Sequence, residues 1–309
     1  MIALPLLKKI AELFLILFVT AGLVRGKILK TEDSRVLSRL SLYFITPFVI
    51  FNAFLKELSP DVRTGMLTCV VMAVGFHALF FGLAFAAKKL WHATEVEQVS
   101  IVFTNAGNLI IPLVAYILGD EWVIYVSSYV AVFNLLFWTV GVRLFDRGTS
   151  PDWKKILLNP NILAIGAGLI VLFAGIRLPE PVAMAFSDVA GMIGPLAMMI
   201  TGMIVGGLTL RDLTACRRVV GVLIWRMIVG SGLVVAATGL CVALGAIPGG
   251  KTLALIPLLS AIAPSASNIT QVAVLYDKDA GYASVINVVT TLFCIVSMPL
   301  WVMVYEAMV

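Results

Sequence analysis

Two apolar segments of this chain are each interrupted midway by polar and helix-breaking residues. The first interruption runs from Phe103 to Pro112, and the second runs from Ala263 to Gln271. A broken helix leaves backbone amide and carbonyl groups without partners, and each such group costs several kcal/mol in hydrocarbon. Breaks of this kind persist where protein or a water-filled cavity covers them. When they come in pairs, one in each half of a membrane protein, they indicate the binding site of a transporter.

The composition places these interruptions in a lipid bilayer. The chain has 309 residues, of which 61% are hydrophobic and 13% are charged, whereas soluble domains average about 25% charged residues. We therefore expect a multi-pass protein of the cell's inner (plasma) membrane. The net charge of +5 does not indicate nucleic acid, because the basic residues cluster in short loops between apolar segments.

Ten segments are apolar over the length of about 20 residues that a membrane-spanning helix needs. The sequence thus predicts an all-α membrane protein with ten transmembrane helices. The predicted spans are residues 6–25, 37–57, 64–87, 97–118, 121–144, 159–176, 183–209, 217–245, 251–275 and 281–306.

The charged loops predict the orientation of these spans. Of the 22 lysines and arginines, 15 lie in loops after odd-numbered spans, six lie on the opposite side, and Arg226 lies inside the eighth span. Since cytoplasmic loops carry the excess of basic residues, we expect both termini to lie outside the cytoplasm.

The ten spans divide into two five-helix halves, residues 1–145 and 161–309, which a cytoplasmic linker at residues 146–160 joins. Because each half holds an odd number of spans, the two halves must run in opposite orientations. The second helix of each half carries a mid-span proline, Pro47 or Pro195, and the fourth helix of each half carries the polar break. Inverted repeats of this kind place the substrate near the bilayer midplane.

The first break combines Asn105, Gly107, Asn108 and Pro112. Glycine frees the backbone, and proline removes a donor and disrupts the preceding turn. The second half of the broken helix then starts with free amide groups, which together with the helix dipole favour an anion. Asparagine amides can also donate to a carboxylate. The alternative is a kinked helix whose asparagines bond to a neighbouring helix.

The second break is expected to contribute Pro264, Ser267 and Asn268 to the same site. If the two broken helices cross, Asn105, Asn108 and Asn268 come together. The alternative is a ladder of hydrogen bonds between helices.

Four residues are candidates for ion or proton coupling, because polar and ionisable groups inside a membrane are functional candidates. Asp188 could relay a proton or cation, or it could lie at the membrane interface. Arg226 could take part in coupling, or it could snorkel to the cytoplasmic side. Thr270 and Gln271 could help to ligate sodium.

The sequence carries no motif for ATP hydrolysis, no hydrolase motif and no paired carboxylates within a span, so we expect neither an enzyme nor a cofactor. Four cysteines without a CxxC pair and two histidines predict no metal site. Gly202 and Gly206 form a GxxxG match that permits close helix approach and could mark a dimer face.

At its two breaks the chain resembles the auxin efflux carrier family of membrane transporters, in its prokaryotic branch. The family's fourth-helix pattern is matched by Asn105, Gly107 and Pro112, and its ninth-helix pattern by Pro264 and Asn268. Further matches extend over nearly the whole chain, at Pro47, Asn159-Pro160, Pro195-Leu196-Ala197, Gly202, Ala273, Tyr276, Ala283-Ser284 and Pro299-Leu300-Trp301.

The resemblance implies two inverted five-helix repeats, in a fold similar to that of the bile-acid sodium symporters. Helices 1, 2, 6 and 7 would form a scaffold and a homodimer interface, and helices 3–5 and 8–10 would form a moving transport domain. Asn105 and Asn268 would hold a carboxylate, and transport would follow an elevator mechanism. Ile110 stands where the family often has a glycine, which leaves the shape of the cavity open.

Our leading hypothesis is a secondary transporter of a small organic anion, such as an auxin-like carboxylate or a dicarboxylate. One alternative is a sodium- or proton-coupled importer of a larger amphipathic solute, and another is a membrane receptor that does not transport. The expected partners are the organic anion, the lipid bilayer and a second copy of the chain.

Overall fold

A computed structural model describes residues 3–55, 59–145, 154, 157–207, 217–276 and 278–309. Within these ranges the chain is helical, apart from turns, connections and one isolated antiparallel bridge between Thr104 and Ser265. The main helices, in chain order, are α1 (Ala3–Arg25), α2 (Thr31–Asn52), α3 (Pro60–Trp91), α4 (Glu95–Val102), α5 (Ala106–Ile117), α6 (Val123–Phe145), α7 (Pro160–Ala174), α8 (Glu180–Gly207), α9 (Val219–Ala243), α10 (Gly250–Ile262), α11 (Asn268–Leu275) and α12 (Ala280–Met308).

Six of the described helices are long and apolar enough to cross a membrane, namely α2, α3, α6, α8, α9 and α12. Helices α5, α7 and α10 are shorter apolar helices of 10–17 residues. The prediction of an all-helical, multi-pass membrane protein is confirmed. The count of ten spans and the two inverted repeats stay predictions, and most of the predicted linker, residues 146–153 and 155–156, lies outside the described residues.

Local sequence signals fix several helix starts. The Thr94 side chain accepts from the Glu97 amide at 3.3 Å and the Glu97 carboxylate accepts from the Thr94 amide at 2.7 Å, which is a capping box at the start of α4. Asn159 caps α7 by accepting from the Asn161 amide at 2.9 Å, just before the favoured first-turn proline Pro160. This cap also fixes the position of Asn161.

The GxxxG residues of α8, Gly202 and Gly206, pack against another helix of the same chain. A side-chain carbon at Gly202 would overlap the carbonyl oxygen of Leu17 in α1, and one at Gly206 would lie 2.7 Å from the carbonyl oxygen of Ala21. The two glycines therefore allow α1 and α8 to pack backbone against backbone. The expectation that this motif marks a dimer face is wrong, because the motif is already covered by α1.

A buried carboxylate ties together the starts of α4, α9 and α12. Glu97 accepts from Nε and Nη2 of Arg218, both at 2.8 Å, and from the hydroxyl of Tyr282 at 2.8 Å. Arg218 also donates to the carbonyl oxygen of His92 at 3.1 Å and stacks over the ring of Trp91. This cluster links residues that are more than 120 positions apart in sequence, so it fixes the start of α4, one of the two broken helices, against α9 and α12.

Candidate functional site

The two predicted breaks cross each other and pair through their backbones. Helix α4 ends before Phe103 and helix α10 ends before Ala263, and both of these residues are extended. The Asn105 amide donates to the carbonyl oxygen of Pro264 at 2.8 Å, and the Ala266 amide donates to the carbonyl oxygen of Phe103 at 3.0 Å. The crossing thus satisfies backbone groups that the broken helices leave open.

Helix α12 and helix α4 hold the second break in place around Ser265. The Asn287 side chain donates to the carbonyl oxygen of Ser265 at 2.6 Å, and the Ser265 amide donates to the hydroxyl of Thr290 at 3.2 Å. The Ser265 hydroxyl donates to the carbonyl oxygen of Ser100 at 2.8 Å. These contacts bond the crossing to α4 and α12.

Arg226 lies behind the crossing, in a π-helical turn of α9, and its residue surface is only 1% exposed. Its guanidinium donates to the carbonyl oxygens of Ile101 at 2.5 Å, Ala263 at 2.7 Å and Ala261 at 3.5 Å. The expectation that this side chain snorkels to the cytoplasmic side is wrong. The carbonyls at the ends of α4 and α10 lack intrahelical partners, and the guanidinium satisfies them from inside the protein.

A cavity of about 50 Å³ lies beside the crossing, and Arg226 is not among the residues that line it. Its walls combine residues of both breaks with residues of α2, α6 and α7. The lining residues are Thr46, Thr104, Asn105, Gly107, Asn108, Val130, Phe133, Asn134, Asn161, Ala266, Ser267 and Asn268.

Five of the residues predicted to bind substrate line this cavity, namely Asn105, Gly107, Asn108, Ser267 and Asn268. The Asn108 amide donates to the hydroxyl of Ser267 at 3.0 Å, which bridges the two breaks. The predicted prolines lie elsewhere.

Pro264 and Pro112 shape the breaks without lining the cavity. Pro264 offers its carbonyl oxygen to the Asn105 amide, within the paired backbone of the crossing. Pro112 packs against α8, where a side-chain carbon at Gly194 would lie 3.0 Å from the Cβ of Pro112. Neither proline is therefore among the cavity walls that the structure describes.

The residues predicted for ion coupling do not gather at the cavity. Asp188 is exposed on α8 and Thr270 is half-buried on α11, and neither lines the cavity. The side chain of Gln271 lies outside the described residues. Arg226 lies behind the crossing, as given above.

Four polar lining residues were missed from the sequence, namely Thr46, Thr104, Asn134 and Asn161. Asn161 and Thr104 each carry a buried side-chain oxygen without a hydrogen-bond partner, as does Asn268 among the predicted residues. Such orphaned groups call for an occupant or water. In the sequence, Asn134 stands out as the one amide side chain within the apolar run of α6. Asn161 stands out as the residue that directly follows the helix-starting proline Pro160.

The charge of the cavity comes from backbone, because none of the described lining side chains is ionisable. Helices α5 and α11 both begin at the cavity, at Ala106 and Asn268. Each helix start carries roughly half a positive charge. The two helix starts therefore give the site about one positive charge and free amide groups. Five asparagine side chains also line it, those of Asn105, Asn108, Asn134, Asn161 and Asn268.

A comparison with known protein families shows the family of this chain. A family model described as a membrane transport protein matches residues 5–151 and 148–302. A comparison with curated proteins gave no match. The two matched ranges cover nearly the whole chain, and the family consists of transporters rather than enzymes. The chain belongs to the membrane transport protein family, that of the auxin efflux carriers.

Proposed function

We propose that this protein is a secondary transporter that binds a small organic anion in the cavity beside the crossing. The observation that carries the proposal is the meeting of two helix starts, at Ala106 and Asn268, around a cavity lined by amide side chains. Helix starts bind anions through free N–H groups and through their dipoles. The side chains of Asn105 and Asn268 would donate to the carboxylate.

The charge of the cavity favours an anion with a single carboxylate. Two helix starts supply about one positive charge in total, and no described lining side chain adds another. One carboxylate would balance this charge, whereas a dicarboxylate would leave its second charge desolvated and unpaired. Among the anions expected from the sequence, an auxin-like monocarboxylate therefore fits better than a dicarboxylate.

The size of the cavity implies a change of shape during transport. A cavity of about 50 Å³ holds only one or two water molecules, since each occupies about 30 Å³ in the liquid. Pockets for small organic ligands measure about 300–1,000 Å³. The walls must move apart before an organic acid fits, as alternating access requires.

The movement would take place between two groups of helices. The proposed transport domain holds α3–α6 and α9–α12, and the contacts of Glu97 with Arg218 and of Arg226 with Ile101 tie its two halves together. Thr46 and Asn161 face the cavity from α2 and α7, which with α1 and α8 would form the scaffold and homodimer interface. An elevator-type shift would carry the crossing past Thr46 and Asn161. In this proposal ten helices form two inverted repeats in the inner membrane, and both termini lie outside the cytoplasm.

The proposal is tested with purified protein in liposomes, by measuring uptake of labelled monocarboxylates. We expect saturable uptake that is lost when Asn105→Ala and Asn268→Ala are combined. The matched control is Asn52→Ala, since Asn52 is half-buried and does not line the cavity. Binding without uptake would instead identify a receptor. Uptake that survives the double substitution would refute the site.

A further inference from the structure

The guanidinium of Arg226 occupies the position at the broken helices where a transporter would hold a coupling cation. In transporters with broken helices, the C-terminal ends of half-helices and unwound carbonyls coordinate the cation. Here Ile101 belongs to the last turn of α4, Ala261 belongs to the last turn of α10, and Ala263 directly follows α10. Their carbonyl oxygens all accept from Arg226.

The charges at this position balance without an acidic side chain. Each half-helix end carries roughly half a negative charge, so the ends of α4 and α10 together supply about one. One guanidinium matches that charge. Among the described residues Arg226 makes no ion pair, and its guanidinium also lies over the ring of Phe80, 5.2 Å from the ring centre. The arginine is thus neutralised by the two broken helices themselves.

Several other oxygens at the crossing also take part in hydrogen bonds. The carbonyl oxygens of Phe103 and Pro264 accept from backbone amides of the opposite strand, and the carbonyl oxygen of Ser265 accepts from Asn287. The Ser265 hydroxyl donates to the carbonyl oxygen of Ser100. A sodium ion behind the crossing would have to compete with these bonds and displace the guanidinium of Arg226.

We propose that Arg226 is a tethered cation that takes the place of a mobile coupling ion, and that this protein therefore works without sodium. The claim about transport rests on the proposed function, while the claim about the cation site concerns the crossing alone. The role of Arg226 is one of positioning, since it holds α4 and α10 together and does not line the cavity.

The cation site is tested by chemical rescue of Arg226→Ala, with the unfolding temperature of the purified protein as the readout and no organic anion present. We expect the substitution to lower the unfolding temperature and millimolar guanidinium chloride to restore most of the loss. Urea at the same concentration should not restore it, because urea has the same planar shape and no charge. Arg143→Ala removes an exposed arginine and should respond to neither compound.

The outcomes separate this proposal from a purely structural role and from the proposed function. If guanidinium restores no more than urea does, or if Arg226→Ala unfolds at the wild-type temperature, the tethered cation is refuted. A second measurement compares the unchanged protein in sodium chloride and choline chloride, which needs no variant to fold. Equal unfolding temperatures, and equal uptake of any transported acid, are expected. A requirement for sodium in either assay would overturn the proposal, whereas failure of every organic anion would leave the rescue result standing.

Discussion

The backbone amide of Asn105 donates to the carbonyl oxygen of Pro264 at 2.8 Å, although the two residues lie in different halves of the chain. This bond positions the start of α5 by the end of α10. Because the backbone of Asn105 is held by the crossing, its side chain is available to line the cavity. The paired breaks thus form one structure, in which each half supplies what the other half lacks.

Removing amide groups from the cavity wall should weaken anion binding. Asn268→Ala and Asn161→Ala are each expected to weaken binding of a monocarboxylate about tenfold or more, since a hydrogen bond to a charged group contributes about 1.5–3 kcal/mol. Isothermal titration of the purified variants measures this. Asn52→Ala should bind as the unchanged protein does. If Asn161→Ala binds the monocarboxylate as tightly as the unchanged protein does, the ligand does not contact the α7 side of the cavity.

Gly107 tests the size of the cavity separately from the stability of the fold. A side-chain carbon at this position would meet no atom within 4 Å, so Gly107→Ala should keep or slightly raise the unfolding temperature. The added carbon would nevertheless narrow the cavity. We expect weaker binding of bulky acids and unchanged binding of the smallest ones.

Two controls make the Gly107 experiment specific. Gly75→Ala adds a methyl group to α3, where the space is equally open; it should also keep or slightly raise the unfolding temperature and should leave binding unchanged. An equal loss for acids of every size in Gly107→Ala would contradict the steric explanation.

The Glu97 cluster should stabilise the bundle of broken helices. Glu97→Gln is expected to lower the free energy of unfolding by about 2 kcal/mol, because a buried carboxylate with several donors is lost. This is below the roughly 3–5 kcal/mol of a fully buried pair, since the Arg218 side chain is 48% exposed and water can solvate it. Reversible denaturation in detergent measures the change.

A double-mutant cycle assigns this effect to the ion pair. Glu97→Gln and Arg218→Ala should together cost less than the sum of the two single changes. Glu95→Ala, in the same first turn of α4, should have little effect. Additive costs would show that Glu97 stabilises the protein through its other contacts.

The close packing of α1 on α8 predicts a steep cost at one glycine. Gly202→Ala should lower the unfolding temperature markedly, because its methyl group would overlap the backbone of Leu17. Gly191→Ala, which meets no atom within 4 Å on the same helix, should have no such effect. Equal behaviour of the two variants would mean that α1 and α8 are more loosely packed than this structure has them.

The sequence predicted the two breaks because their cause is local. Glycine, proline and asparagine within an apolar segment disrupt a helix wherever the chain goes, and the crossing then brought five predicted residues to one cavity. The capping box at Thr94 and Glu97 is equally local and could have been identified from its spacing.

The sequence-based predictions were wrong or incomplete where a residue's contacts lie far away in the sequence. Arg226 donates to the carbonyl oxygen of Ile101, which is 125 positions away. Its neighbours in sequence do not reveal this partner, and they suggested a snorkelling side chain. The GxxxG pair at Gly202 shows that a helix can approach closely, and it does not show which helix does so. Asn134 and Asn161 reach the cavity only because α6 and α7 pack beside the crossing.

The central claim is that the cavity recognises the negative charge of a carboxylate through backbone and amide donors. The most direct measurement compares binding of a small aryl acetic acid with that of its primary amide, at a pH where the acid is ionised. We predict that the acid binds saturably, that the amide of the same shape binds at least tenfold more weakly, and that Asn105→Ala with Asn268→Ala removes the difference. Equal binding of the acid and the amide would contradict an anion site at the crossing.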